Sequence, residues 1–433
     1  MKNYDVVIMA GGFGTRMSKD FSDIPKPLIP LGESPILEHI ISECKKYNRI
    51  NILIVLHHMS DKIKNYFGDG SSFGVKIKYF VEEIPMGTGG ALLAVQDLLK
   101  DTYLVLYADV YSDLNIDDFF NFHSKHESEI SIVVHPNDHP YDSDIVEIKN
   151  NKVLRFSSHP HIDNVKKNLV NAAMYIINKS AFLHLSDMGN SKFDIAQDIF
   201  PDLLKKDVNI LAYRTSEYIK DMGTPERLIS VNEDIKNGVV YSRNTSNRRK
   251  AIFLDRDGTI NVENGHINNL DDFELIKYSG NAIRMINKSK FLAICATNQP
   301  VIARGECSSE QLERIHNKME SDLGSQGAYL DHIYFCPHHP DSGFKGEVKE
   351  LKIQCNCRKP NPGMLINAQK DFNLNLKECW FIGDSEADIG AAQNAGCKSI
   401  LVGDNYGVNK IKYKPTATKK NIFDAVRHIL YSD

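Results

Sequence analysis

Two aspartates, Asp255 and Asp257, stand one residue apart in AIFLDRDGTI, residues 251–260. The apolar run before them reads as a buried strand, and Gly258 and Thr259 turn the chain after it. Acids at the C-terminal end of a parallel strand lie where open α/β sheets bind ligands. One acid of such a pair can attack phosphorus while the other handles protons, and two acids can hold a divalent cation. Further along, Thr297 and Asn298 end the strand FLAICATN, Lys359 sits in CRKPNPG, and Asp384 ends the strand CWFIGD. Cys336, His338, Cys355 and Cys357 form a C-x-H…C-x-C set. Three thiolates and an imidazole suit tetrahedral Zn²⁺, and four protein ligands leave no open position, so the expected zinc is structural. His339 is an alternative to His338 on spacing alone. Arg358 and Lys359 follow the last ligand directly, so the same loop would aim two cations at a substrate.

A second group of residues lies about 240 positions earlier. The strand DVVIM runs into AGGFGTRM, where Gly11, Gly12, Gly14 and Thr15 can turn backbone N–H groups toward an anion, and Arg16 adds a guanidinium fork. The string is neither a P-loop nor a dinucleotide fingerprint. Lys26, between prolines in IPKPLIP, is stiff enough to meet the same phosphates. Gly87 belongs to PMGTGGA, a glycine loop that lets backbone approach a flat base. Asp109 ends the strand TYLVLYA, Asp221 lies in IKDMGTPERL, and the two could share one Mg²⁺.

These residues need scaffolds. At 433 residues the chain predicts two domains. Strands and helices alternate in both halves, so each is expected to be an α/β unit around a mostly parallel sheet. Helices are expected at about 34–47, with Ser34 as N-cap and Pro35 in the first turn, and at about 194–205. Residues 237–250, NGVVYSRNTSNRRK, are polar and without apolar period, and predict a linker at 239–249 between domains 1–238 and 250–433. A net charge of -4 offers no basic face for nucleic acid and no polybasic membrane anchor. No apolar run is long enough to span a bilayer and no signal peptide is evident, so the expectation is a cytoplasmic protein acting on small molecules. The other cysteines are scattered and read as core thiols. Homo-oligomerisation is compatible with the sequence.

GGFGTRM…IPKPLIPL, PMGTGGAL, YADV and KDMGTPERL resemble the sugar-1-phosphate nucleotidyltransferases over about residues 3–236. The resemblance implies a Rossmann-like sheet and attack of a sugar phosphate on the α-phosphorus of a nucleoside triphosphate. It assigns triphosphate binding to Gly11, Gly12, Gly14 and Thr15, charge neutralisation to Arg16 and Lys26, base contact to Gly87, Mg²⁺ to Asp109 and Asp221, and sugar contact to Asn171. Many members carry Glu-Lys-Pro before that asparagine strand. This chain has FSSHPHID at 156–163, where His159 and His161 could serve instead.

DRDGTIN, TNQ, CPHHPD…CNCRKPNPGM and FIGDSEAD resemble the zinc-bearing heptose-1,7-bisphosphate 7-phosphatases of the haloacid dehalogenase-like superfamily over about residues 250–405, with histidinol-phosphate phosphatases as near neighbours. The resemblance implies that Asp255 is the nucleophile and Asp257 the acid–base. Asp255, Asp384 and the Asp257 carbonyl would hold Mg²⁺. Thr297, Asn298, Arg358 and Lys359 would bind phosphate, and His338 becomes the preferred zinc ligand. About 40 positions separate Asp257 from Thr297 and about 60 separate Asn298 from Lys359, which leaves no room for a large cap domain. Gln299 is followed by Pro-Val where that family usually has Ser-Gly.

The two resemblances explain each other. Removing the 7-phosphate of a heptose 1,7-bisphosphate leaves a heptose 1-phosphate, which a nucleotidyltransferase can activate. The first half looks most like the D-glycero-α-D-manno-heptose 1-phosphate guanylyltransferases, implying GTP, GDP-heptose and a role in bacterial surface glycans such as lipopolysaccharide, capsule or S-layer glycan. The alternatives are a hexose-1-phosphate nucleotidyltransferase fused to a different sugar-phosphate or histidinol-phosphate phosphatase, and a sugar-nucleotide sensor with one dead half.

Overall fold

The computed structural model describes residues 4–12, 21, 23–161, 165–188, 192–403 and 412–431. The chain divides into two compact units. The first comprises Met1–His135, Ser143–His159 and Leu169–Val240. The second comprises Pro136–Asp142, Pro160–Asn168 and Tyr241–Asp433. Both are mixed α/β.

The first unit is built on nine strands: β1 Tyr4–Ala10, β2 Asn51–Leu56, β3 Lys76–Val81, β4 Leu99–Tyr107, β5 Ile130–His135, β6 Ile145–Lys149, β7 Lys152–Ser157, β8 Val170–Asn178 and β9 Ile210–Arg214. They lie in the order β3-β2-β1-β4-β8-β5-β9-β7-β6. The β3-β2-β1-β4 half is parallel, and β8 runs antiparallel to β4 and β5. Side chains alternate across a strand, so β1 feeds two cores. Val6, Ile8 and Ala10 face one, Val7 and Met9 the other. The first core is closed by Ile36, Leu37, Ile40, Ile41 and Cys44 of the helix Ile36–Lys46, the second by Ala91, Leu92 and Val95 of the helix Gly87–Val95. This packing fixes the ends of β1 and β4, where the chemistry-bearing residues begin.

Two local expectations are corrected. Ser34 and Pro35 form a short strand pairing with Pro30–Leu31, and the helix starts at Ile36 with Pro35 as its N-cap. The Ser34 hydroxyl donates to Glu38 Oε1 at 2.8 Å, where an N-cap would accept a main-chain N–H. The stretch expected as one helix at 194–205 opens with a π-helical turn, Ile195–Ile199, before the α-helix Phe200–Leu204. Pro201 has no N–H to give to residue 197, so the regular i→i−4 ladder is broken at that point.

The second unit has a six-stranded parallel sheet: β10 Lys250–Leu254, β11 Phe291–Asn298, β12 His332–Cys336, β13 Trp380–Gly383, β14 Lys398–Val402 and β15 Ala417–Lys419. Their order is β12-β11-β10-β13-β14-β15. The chain moves outward one way from β10, then returns to β10 and moves out the other way, which opens a crevice beyond the ends of β10 and β13. Ile252 and Leu254 pack against the helices Ser279–Asn287, Ser309–Gly324 and Ile422–Tyr431. Ala251 and Phe253 pack against Gly363–Asp371 and Glu386–Ala395.

The polar stretch 239–249 is ordered. Val239–Arg243 is helical, and Arg243, Asn244 and Arg249 are buried. Within the second unit, Arg243 pairs with buried Asp331 at 3.1 Å and donates to the carbonyls of Asn287 and Phe291. Asp331 also accepts the Ala293 N–H at 2.8 Å. Removing one partner of a buried ion pair leaves the other charge uncompensated. Asp331→Ala is therefore expected to destabilise this unit by about 3–5 kcal/mol, and Arg243→Met with Asp331→Leu by much less. Trp380, the single tryptophan of the chain, lies in β13, so urea unfolding followed by its fluorescence reads this unit alone.

Candidate functional site

In the first unit a cavity of about 490 Å³ lies at the C-terminal ends of β1 and β4. Gly11, Gly12, Lys26, Gly87 and Asp109 all line it. Lys26 Nζ meets Asp109 Oδ2 at 2.7 Å, which brings a predicted phosphate cation onto a predicted metal ligand. Gly87 has φ +73°, and a Cβ there would fall 2.3 Å from the Phe193 carbonyl oxygen, so both conformation and close approach demand glycine. Gly14, Thr15 and Arg16 lie outside the described residues.

Asp221 is brought near Asp109 through main chain. It pairs in register with Val110, and the Met222 N–H donates to the Asp109 carbonyl at 2.8 Å. Its carboxylate is engaged by Arg227 NH1 at 2.5 and 2.7 Å. Asn171 donates through Nδ2 to the Tyr175 hydroxyl at 2.9 Å, and Tyr175 meets the cavity-lining Tyr107 edge-on at 6.2 Å. Asp221 and Asn171 are not among the described residues lining the cavity, and neither are His159 and His161.

Glu82 carried no role in the sequence and is buried in this cavity wall. Its Oε1 accepts the Met86 N–H at 2.9 Å, and its Oε2 lies 2.6 Å from where a Cβ on Gly11 would stand.

In the second unit the crevice beyond β10 and β13 gathers the acids. The Asp255 N–H donates to the Ile382 carbonyl at 3.0 Å, tying the end of β10 to β13. Lys359 Nζ bridges Asp255 Oδ1 at 2.7 Å and Asp388 Oδ1 at 2.6 Å. Asp255, Asp384 and Asp388 offer carboxylate oxygens within 4.8 Å of one another, a group that could hold a metal ion. Gly258, at φ +74°, is pressed against Asp384, whose Oδ2 lies 2.0 Å from where a Cβ would stand.

Burial and the charge of Asp388 push the Asp255 carboxyl up to about 8, with Lys359 opposing. The same two causes, in the same order, push Asp384 up to about 7. Burial works against the Lys359 ammonium, yet Asp255 and Asp388 overcome it and hold its pKa above the usual lysine value. Three acids thus share one lysine.

Asp388 is the residue the sequence left without a role. It stands at the third position of the helix Glu386–Ala395, in a capping box with Ser385. In the sequence, DSEAD reads as an ordinary capping box, and only the contact with Lys359 sets Asp388 apart.

Thr297 is buried at the end of β11. The Asn298 side chain clamps the main chain of Lys359, accepting its N–H at 3.0 Å and donating to its carbonyl at 3.2 Å. Arg358 NH1 donates to the His338 carbonyl at 3.2 Å.

Cys336, His338, Cys355 and Cys357 converge as a second group that could hold a metal ion. Among them, Cys336–Cys355 is 3.5 Å, Cys336–Cys357 3.2 Å and Cys355–Cys357 3.3 Å between Sγ atoms. His338 Nδ1 lies 3.7 Å from Cys336 and 3.2 Å from Cys357. His339 is turned away, its Nε2 facing Arg304 NH2 at 3.1 Å.

The strand-end cavity with a lysine on an aspartate and the acid–lysine cluster beside a thiol-rich loop are two separate candidate sites, one in each unit. Sequence comparison gives the families. The nucleotidyl transferase family matches residues 5–238, and the HAD-hydrolase-like family matches residues 356–427. The D-glycero-β-D-manno-heptose-1,7-bisphosphate 7-phosphatase of Yersinia pestis is 42% identical over 153 residues, 35% of this chain and 79% of that protein. Its counterpart from Escherichia coli K12 is 40% identical over 153 residues, 35% of this chain and 78% of that protein. HddC from Yersinia pseudotuberculosis, solved in complex with GMP-PN, is 25% identical, covering 54% of this chain and 99% of that chain, with a TM-score of 0.46. The chain belongs to the nucleotidyl transferase family through its first half and to the family of these heptose-bisphosphate phosphatases through its second. It is a bifunctional enzyme.

Proposed function

We propose that the second unit removes the 7-phosphate of D-glycero-D-manno-heptose 1,7-bisphosphate. The first unit then transfers GMP from GTP to the resulting heptose 1-phosphate, giving GDP-heptose and pyrophosphate. The observation that carries this reading is the buried Asp255–Lys359–Asp388 cluster, set on a heptose-bisphosphate phosphatase frame in the same chain as a nucleotidyl transferase.

Asp255 attacks the phosphorus and becomes a phosphoaspartate as the C7 oxygen leaves; Asp257 protonates that oxygen and then takes a proton from the water that hydrolyses the acyl phosphate. Lys359 and Thr297 hold the phosphate oxygens. The crowding of Asp255, Asp384 and Asp388 around one lysine suits a divalent cation. Mg²⁺ there would be held by Asp255, Asp384 and the Asp257 carbonyl, and would neutralise phosphate charge. Asp388 anchors Lys359. The β12-β11-β10-β13-β14-β15 order supports a doubly wound unit without a large cap.

The thiol loop suits Zn²⁺. With Zn–S bonds of about 2.3 Å, tetrahedral edges are about 3.8 Å between sulfurs and about 3.5 Å between sulfur and nitrogen. Five of the six edges fall at 3.2–3.7 Å.

In the first unit Gly11, Gly12, Gly14 and Thr15 bind the triphosphate. Arg16 and Lys26 neutralise charge developing on it. Asp109 and Asp221 hold Mg²⁺, Gly87 lets the base approach, and Asn171, aligned by Tyr175, serves the sugar. Guanine presents N1–H and N2–H₂ donors on one edge, and the carboxylate of Glu82 offers matching acceptors. Glu82→Gln is expected to lower GTP preference by about 1–3 kcal/mol, read as the ratio of kcat/KM values. Among the described residues no helix is long and apolar enough to cross a membrane, which is consistent with a cytoplasmic setting.

The test is a panel of GTP, ATP, CTP and UTP against sugar 1-phosphates with pyrophosphate detection. The names of the phosphatase relatives specify the β anomer and the guanylyltransferase resemblance implies the α, so the panel carries both anomers of the heptose phosphate. Turnover confined to GTP and one heptose anomer is expected. Comparable turnover of glucose 1-phosphate with UTP would overturn the guanylyl reading.

A further inference from the structure

Asp257 is enclosed differently from the other acids of its site. Its Oδ1 accepts from Arg256 Nε at 3.1 Å, from Arg256 NH2 at 2.9 Å and from Asn261 Nδ2 at 3.0 Å. Its Oδ2 accepts from Arg256 NH2 at 3.0 Å and from Gln299 Nε2 at 2.7 Å. Arg256 is fully buried, and behind it His316 faces NH1 at 3.4 Å. Arginine has no acceptor, so His316 takes the hydrogen as a neutral ring. Burial, with the neighbouring charge of Arg256, holds its pKa well below the usual histidine range.

Gln299 is the member of this cage that reaches two functional groups. It is 2% exposed, and its Nε2 also lies 2.9 Å from Thr297 Oγ1. A primary amide nitrogen carries two hydrogens, so one goes to Asp257 and the other to Thr297. The Thr297 oxygen is then already an acceptor, and its own hydroxyl hydrogen must be donated elsewhere. The Gln299 main-chain N–H donates to the Cys336 carbonyl at 2.8 Å, fixing the backbone of this residue at the start of the thiol loop.

We propose that Gln299 is a positioning residue of the phosphatase site: with a single NH₂ group it fixes the Asp257 carboxylate and turns the Thr297 hydroxyl outward to donate to the substrate phosphate. This rests on the reading of Asp257 as the proton donor to the leaving oxygen. It explains why an amide, and not a hydrocarbon of equal size, is buried beside two groups that already carry their own chemistry. Arg256 and Asn261 form the opposite jaw and keep Asp257 in place between them and Gln299.

The test uses the full-length protein with Mg²⁺ and two substrates. The alkoxide leaving from C7 needs a proton; the 4-nitrophenolate leaving from 4-nitrophenyl phosphate does not. Gln299→Met keeps the length of the side chain and removes both donors. Because Asp257 also serves the later hydrolysis that both substrates share, the readout is kcat/KM, which ends at departure of the leaving group: it is expected to fall by on the order of 10- to 100-fold on the heptose bisphosphate, and by only about 3-fold or less on 4-nitrophenyl phosphate. The inhibition constant for inorganic phosphate should rise, and Thr297→Val added to Gln299→Met should raise it little further, because the two changes remove one shared contact. The Trp380 unfolding midpoint should stay near that of the unaltered protein.

Equal losses on both substrates, or no loss on either, would overturn the proposal. Asp257→Asn serves as the control for the underlying reading. If it shows the leaving-group selectivity and Gln299→Met does not, the inference about Gln299 fails alone. If Asp257→Asn shows no selectivity, the proton-donor role fails and takes the inference with it.

Discussion

Asp255→Asn is expected to abolish phosphate release from heptose 1,7-bisphosphate while pyrophosphate formation from supplied heptose 1-phosphate continues undiminished. The substitution keeps the volume of the side chain, which matters at a position only 8% exposed at the end of a core strand. It removes the attacking oxygen and the charge that Lys359 Nζ meets at 2.7 Å. Loss of a nucleophile typically costs on the order of 10⁴-fold or more, because the remaining groups have nothing to act upon. Asp388 still pairs with Lys359 at 2.6 Å, so the lysine keeps a partner and the fold is expected to survive. The converse substitution, Asp109→Asn, removes the acid paired with Lys26 and should silence pyrophosphate formation while phosphate release persists. The measurement is paired phosphate and pyrophosphate assays on each variant. A folded variant in which one change silenced both activities would refute two independent centres.

The residues that carry this prediction were legible because strand ends are legible. AIFLD, CWFIGD and TYLVLYA each place an acid directly after an apolar run, and a parallel sheet brings such ends to one side. The thiol set was legible because its ligands are rare residue types at short spacing. What the sequence concealed are the residues that act through shape. Arg256 reads as a spacer between two acids, yet its guanidinium is buried and closes onto the Asp257 carboxylate. Glu82 and Glu83 are adjacent and identical in type, yet just past the end of β3 one is buried in the cavity wall and the other exposed. The resemblance gives Asn298 only as a phosphate ligand, whereas its amide also meets the Lys359 main chain, a contact no spacing could reveal. The stretch 239–249 looked like a linker because it lacks apolar period. Arg243 and Arg249 are nevertheless buried, since Asp331 and main-chain carbonyls supply the partners that hydrophobic contact would otherwise replace.

Those clamps make the thiol loop the second place where a large effect is expected. Cys357→Ser should remove the metal, release the loop 337–357 and collapse phosphate release, with pyrophosphate formation unaffected. Lys359 lies two residues beyond Cys357, and its main chain is fixed by Asn298 on one side and by the thiol loop on the other. Gln299, against Asp257, is likewise fixed through the Cys336 carbonyl. Structural zinc binds with about 10–16 kcal/mol of apparent free energy, comparable with the whole stability of a typical domain. The loop from Asp341 to Glu350 is largely polar and charged, and its other anchors are Phe344 under Arg304 and Lys352 and the Val348 N–H on the Ala303 carbonyl. Elemental analysis should find about one zinc per chain before the substitution and none after. Limited proteolysis should cut within 337–357 only in the variant. Because Mg²⁺ is supplied throughout, loss of phosphate release then traces to the loop and not to the acids. A Cys357→Ser protein that kept its zinc, or kept full phosphatase activity without it, would separate the thiol cluster from catalysis and leave Lys359 to be held by Asn298, Asp255 and Asp388 alone.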